Sequence, residues 1–254
     1  MKWIHLRLRH RYYRYRLRRK NLPAVIRSYL QAFRYVALET PIAEAEFVIF
    51  DTETTGLDVK QGDRILSISA VRLKNGRIDL SDVFHAMIDP ERDIPSDTAV
   101  IHEIVPRMVD GKPTLGELLP DFIKYVGSAV MVGHHEWLDM TFLNTEMTRL
   151  FGFPLLNIVL DTATLDQAII LRKTPMHLRR SIRLNSSLGA LAERYRVSIE
   201  ERHSSFWDAL ATAQIFQKMI KDLERQGILS LKGLLKLVLT PPRLGPGLEG
   251  MSRF

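Results

Sequence analysis

Phe47-Val48-Ile49-Phe50 is a short apolar run bounded by polar residues, the pattern of a strand buried on both faces. Arg64–Lys74 alternates apolar and polar side chains, Asn75-Gly76 supplies a type I′ turn, and Arg77–Ile88 returns, so a hairpin follows. Thr114-Leu115-Gly116-Glu117 has the capping-box form and opens a helix to about Val126. Ala129–Val132 reads as a strand, Glu136–Leu150 as a helix and Leu155–Leu160 as a strand. Leu188–Tyr195 and Phe206–Leu223 carry helical periodicity. Hairpin-linked strands followed by alternating helices and strands predict an α/β fold with a mixed sheet flanked by helices.

The N-terminus reads differently. Apolar and basic residues alternate from Ile4 to Tyr12, which is not a helical period. Beyond it, Leu22, Val25, Ile26, Tyr29, Leu30, Phe33 and Val36 recur at helical spacing, with Asn21 as candidate cap and Pro23 in the first turn. This amphipathic helix is expected to dock on a surface, its own domain included. Residues 1–44 are thus expected to form a basic arm and helix, 45–226 the main domain, and 227–254 a C-terminal helix and mobile tail rich in Pro and Gly.

Charge sharpens that division. Residues 1–40 carry eleven Lys/Arg against Glu39, a net of +10, and the rest holds 25 basic and 28 acidic residues, a net of −3. The basicity of the 254-residue chain therefore belongs to the arm. Arg interleaved with Trp3, Tyr12, Tyr13 and Tyr15 suits phosphate neutralisation and base stacking. Membrane-surface contact, a transit peptide and partner docking compete with that reading. Cysteine is absent, which excludes disulfides and thiolate metal sites and fits a reducing, cytoplasmic setting. No apolar run approaches the roughly 18 residues that span a bilayer.

Three segments carry candidate chemistry. Asp51 and Glu53, two apart at a strand end, share one face, and two carboxylates that close favour a cation between them. Gly56 then permits a sharp turn near a ligand. The competing reading is a strand end with turn-forming residues. In Gly133-His134-His135-Glu136-Trp137-Leu138-Asp139, Asp139 falls in the first turn of a helix, where an acid also simply complements the helix dipole. In His203-Ser204-Ser205-Phe206-Trp207-Asp208, Ser205 and Asp208 also match a capping box, while His203 is placed to act as a general base.

In order and spacing these segments resemble the DEDDh 3′-5′ exonucleases, most nearly the proofreading branch like the epsilon subunit of bacterial DNA polymerase III. Asp51-Thr52-Glu53-Thr54-Thr55-Gly56 is similar to the first motif, His134 to Asp139 to the second and His203 to Asp208 to the third. Ile101–Val105 and Met108-Val109 are similar to the connecting segment, and the likeness covers roughly residues 45–222. The resemblance implies an RNase H-like five-stranded sheet and two Mg²⁺ or Mn²⁺ ions on Asp51, Glu53, Asp139 and Asp208, with His203 deprotonating a water. It further implies that Thr54, Thr55, Gly56, His134 and His135 contact a nucleic acid, single-stranded DNA 3′ ends first, with a DNA polymerase as possible partner. An exoribonuclease and a weakly active binding module are the alternatives. His135 and Leu138 stand where the family usually has Asn and Phe, and Ser205 and Trp207 depart from the usual third motif.

Overall fold

The computed structural model describes residues 2–18, 20–33, 38–182, 184–201 and 203–239. Five strands form one sheet: β1 (Phe47–Thr54), β2 (Ile65–Lys74), β3 (Arg77–Met87), β4 (Val130–Gly133) and β5 (Val159–Asp161). Their order is β3-β2-β1-β4-β5. β1, β2 and β3 are antiparallel neighbours, whereas β4 and β5 run parallel to β1. The predicted turn at Asn75-Gly76 has positive φ at both residues, 51° and 69°, as a type I′ turn requires.

Alternation along β1 sorts the core into two layers. Val48 and Phe50 belong to one apolar cluster with residues of α2 (Ala24–Ala32), α5 (Leu115–Val126) and α6 (Trp137–Phe151). Phe47 and Ile49 belong to the opposite cluster, with residues of α7 (Thr162–Lys173), α8 (Leu188–Tyr195), α9 (Ser205–Arg225) and α10 (Leu231–Leu239). The sheet is therefore covered on both faces by helices. Two short helices, α3 (Ser96–His102) and α4 (Pro106–Val109), lie in the connection between β3 and α5. The Thr114 capping box forms as predicted, with both reciprocal bonds present.

The arm is not the alternating, non-helical segment expected. Residues Lys2–Leu17 form a helix, α1. Leu and Arg are strong helix formers, and His10, Tyr13 and Leu17, at intervals of three and four, supply the face that docks. Arg9 Nη2 donates to the Leu155 carbonyl (3.2 Å), and His10 Nε2 lies 2.9 Å from that of Leu156. Asn21 does not cap the next helix. Pro23 is the capping residue of α2, without a side-chain bond, and α2 stops at Ala32, while Val36 lies outside the described residues. Ile26, Tyr29 and Leu30 are buried against the body.

That docking also explains a misplaced strand. β5 begins at Val159 and not at Leu155, because the backbone of 155–157 is spent on the arm. The Tyr29 hydroxyl accepts from Leu156 N (2.7 Å) and donates to Asn157 Oδ1 (2.6 Å). Asn157 Nδ2 in turn donates to the carbonyls of Gly127 and Ala129. Helix α7 was not anticipated, α10 lies in the C-terminal segment expected to hold a helix, and the Thr240–Gly247 tail lies outside the described residues. Among the described residues no helix is long and apolar enough to cross a membrane.

Candidate functional site

β1 delivers Asp51 and Glu53 on the face that carries Phe47 and Ile49, the side covered by α9. Asp208, one turn into α9, is 7% exposed and meets them there. Carboxylate oxygens of Asp51, Glu53 and Asp208 all lie within 4.8 Å of one another. Burial, then the neighbouring charges of Asp208 and Asp139, push the Glu53 carboxyl up to about 8. Three acids held that near in a partly dry cleft repel one another, and hard oxygen donors at this spacing suit a divalent cation.

Asp139 approaches from the other face. Thr52 alternates to the α6 side of β1, and its hydroxyl donates a short hydrogen bond to Asp139 Oδ1. Asp139 is buried in the first turn of α6. Burial raises its carboxyl to about 7, against the Thr52 hydrogen bond, which lowers it. It stands outside the three-oxygen group yet close enough for its charge to raise Glu53. The strand end thus gathers three carboxylates on one side and a fourth across the edge.

The loop after β1 is held by its own polar groups. Thr54 Oγ1 donates to the Gly56 carbonyl (2.7 Å). Thr55 is buried, its hydroxyl donating to Asp63 Oδ1 (3.1 Å) and accepting from Arg64 N (3.0 Å). A Cβ on Gly56 would fall 2.3 Å from Asp63 Oδ2, so what crowds Gly56 in this structure is Asp63. Leu57 follows, 74% exposed.

After β4, His134 Nδ1 lies 2.9 Å from Thr162 Oγ1. His135 takes a positive φ of 54°, its N–H donating to Asp161 Oδ1 (2.9 Å) and its side chain exposed. The two rings meet edge to face, 4.4 Å between centroids. Trp137 stands 64% exposed at the start of α6.

His203 is exposed just before α9, with φ 60°, and its backbone N–H donates to Asp208 Oδ2 (3.2 Å). Its charge contributes to the lowered pKa of His102, where burial is the larger cause. The capping box expected from Ser205 and Asp208 does not form. Ser204 is the capping residue, without a side-chain bond. Ser205 turns inward, its Oγ 2.9 Å from Ser67 Oγ and 2.8 Å from Ser69 Oγ, and Ser69 Oγ is 2.8 Å from His85 Nδ1. These hydroxyls pin the start of α9, and hence Asp208, to β2.

The sequence gives no site role to Thr52, Thr162, Asp161, Ser67 or Ser69, and offers Ser205 only as a helix cap. Only Thr52 had a readable signal, as the residue between two acids in a strand, facing opposite to them. The others act through pairings distant in sequence.

Residues 48–216 match the RNase_T family, described as Exonuclease. The DNA polymerase III subunit epsilon-like protein of Rhodobacter capsulatus is 36% identical over 208 residues, 81% of this chain and 28% of that protein. The PolC-type DNA polymerase III of Caldanaerobacter subterraneus is 35% identical over 196 residues, 77% of this chain and 13% of that one. The chain therefore spans less than a third of either relative. Among solved structures, exonuclease X in complex with 5′-overhanging duplex DNA superposes with a TM-score of 0.55 at 23% identity, covering 76% of this chain and 99% of that one. The nuclease domain of 3′hExo, a DEDDh family member bound to rAMP, superposes with a TM-score of 0.58 at 18% identity, covering 72% and 95%. At these identities the two structures show a shared fold, the RNase H-like exonuclease sheet.

Proposed function

We propose, from the premise that this chain belongs to the RNase_T exonuclease family, that it is a metal-dependent DEDDh enzyme that shortens single-stranded DNA from the 3′ end, releasing nucleoside 5′-monophosphates. The observation that carries the proposal is the convergence of Asp51, Glu53 and Asp208 within 4.8 Å. In this reading Asp51, Glu53, Asp208 and Asp139 hold two Mg²⁺ or Mn²⁺ ions. When bound, such ions neutralise phosphate charge, stabilise the leaving oxygen and make a bound water acidic enough to attack.

The chain's own groups do the rest. His203, exposed beside the cleft on a backbone tied to Asp208, accepts the proton of the attacking water. The Ser67–Ser69–Ser205 contacts fix Asp208, and Thr52 fixes Asp139. Thr54, the Gly56 backbone, His134 and His135 contact the terminal nucleotide, while Thr55 supports them by holding the loop through Asp63 and Arg64. The relatives' names support DNA as the polymer and work beside a DNA polymerase, and proofreading or repair is the setting we propose for it.

End-labelled DNA and RNA oligonucleotides test the reading. The 3′ end of single-stranded DNA is expected to recede one nucleotide at a time. Loss from the 5′ end would refute the polarity, and degradation of RNA alone would make the enzyme an exoribonuclease.

A further inference from the structure

Beside the end of α6 remote from Asp139, α1 and α2 enclose a pocket lined by Arg14, Arg18, Lys20 and Arg27, with the buried Leu17 and Leu30 among its walls. Among the described residues lining it, none is acidic. The four cations make no ion pair with any described carboxylate. Two of them rest on neutral groups, and a third packs beside the end of α6. Arg27 donates to the Leu22 carbonyl, Arg18 sits 4.3 Å from the Tyr15 ring centroid, and Lys20 Nζ lies where a Cβ on Gly152, at the end of α6, would come within 2.9 Å of it. Four like charges converging on one concavity repel one another and favour an anion there.

The contrast with a second basic groove, between α7, α8 and α9, is informative. There Asp222 pairs with Lys173 and Arg225, and Asp166 pairs with Arg194, so much of that charge is already neutralised internally. Among the described residues the α1–α2 pocket has no such relief.

The length of α6 sets its distance from the site. Helix α6 starts beside the site with Asp139 and ends at Gly152, thirteen residues on, so the pocket lies about 20 Å from the carboxylates. At about 3.4 Å per stacked nucleotide, that is roughly six nucleotides. We propose that this pocket holds backbone phosphate of the substrate strand about six nucleotides upstream of the end being cleaved. The proposal rests on a nucleic acid being the substrate. A phosphodiester strand suits α1 better than a lipid surface does. A helix that lies in a membrane needs an apolar stripe opposite its basic one, and α1 has none, since apolar and basic residues are spread around it and Tyr13 and Leu17 pack on the protein core. Exposed Tyr12 and Tyr15 beside the arginines add stacking surface for bases.

The test uses the full chain in EDTA, so that binding is read without cleavage, with fluorescent single-stranded DNA of 3 and 15 nucleotides and a salt series. Arg14→Gln/Arg18→Gln is the main variant. Arg18→Gln/Lys20→Gln, which changes only exposed side chains, guards against a folding defect. Each pair is expected to weaken binding of the 15-mer by about tenfold near 0.1 M salt and to flatten its log–log salt slope by about 1.4, two phosphate contacts at about 0.7 each. Binding of the 3-mer is expected not to change. A 15-mer slope equal to wild type in both variants would overturn the proposal. So would losing affinity only for phosphatidylserine vesicles, which would make the pocket a lipid-headgroup site. Cleavage with Mg²⁺ is measured separately. If wild type cleaves but the slopes agree, the pocket proposal alone fails. If nothing is cleaved but the slopes differ, the exonuclease reading alone fails.

Discussion

Two acidic sites in this molecule differ in how their charge is answered. Asp166 on α7 is fully buried, and its carboxylate accepts from the Arg194 guanidinium and from Tyr195 Oη (2.9 Å). Burial still raises its pKa, with both partners opposing the shift. Glu53, by contrast, is raised first by burial and then further by Asp208 and Asp139, carboxylates like itself. A buried charge answered by a guanidinium and a phenol is architecture. Buried charges answered by one another cost stability until something positive arrives, and that crowding marks the place built for a ligand.

The largest effect should separate the two clusters outright. Asp51→Ala is expected to lower the nuclease rate by about 10³-fold or more, since several kcal/mol of transition-state stabilisation are at stake and each 1.36 kcal/mol is a factor of ten. Its circular dichroism and metal-free Tm should match or exceed wild type, because one repelling charge is gone. Asp166→Ala should do the reverse. It leaves Arg194 and Tyr195 without their partner, costs about 2–3 kcal/mol of unfolding free energy after allowing for the partial exposure of Arg194, and keeps full activity in the folded fraction. Denaturant unfolding read beside a rate assay checks both.

Tyr29→Phe is a smaller perturbation that asks how firmly the arm belongs to the body. It strands Leu156 N and Asn157 Oδ1 in the core, and about 1–3 kcal/mol should be lost by denaturant unfolding with cleavage of short strands unaltered.

A last prediction concerns pH. Glu53 and Asp139 have folded-state values near 8 and 7, above the ordinary carboxylate range of an unfolded chain. Carboxyls raised in this way favour the folded state most at low pH, below their unfolded values, and that contribution is lost as pH climbs through 7 and 8. The Tm of metal-free protein should therefore fall between pH 5 and pH 8. Saturating Mg²⁺ should flatten the trend, and Asp166→Asn should leave it in place.

Much of the sheet was legible because β1, β2 and β3 obey local rules, a buried run and a hairpin with an Asn-Gly turn. The start of α5 followed from its capping box, and the extents of α8 and, to within two residues, of α9 from periodicity. What was not legible depended on partners distant in sequence. The helical state of Lys2–Leu17 is fixed by docking onto Leu155 and Leu156, and the late start of β5 follows from the same contacts. In the site, the shared face of Asp51 and Glu53 was readable from strand geometry, while Asp208, whose local signal was only a helix cap, entered the expected site through the family resemblance. That Asp139 reaches the cluster from the opposite face, held by Thr52, needed the layers of the fold. The inward turn of Ser205 toward Ser67 and Ser69 likewise overrode a local capping signal.

The central claim is that the crowded carboxylates await divalent metal and act only with it. Its most direct test is the degradation of 5′-labelled single-stranded DNA by protein stripped with EDTA, then resupplied with Mg²⁺ or Mn²⁺. The stripped protein should be inert and regain its rate on metal addition, while Asp51→Ala stays inactive throughout. Undiminished degradation in EDTA would contradict the account.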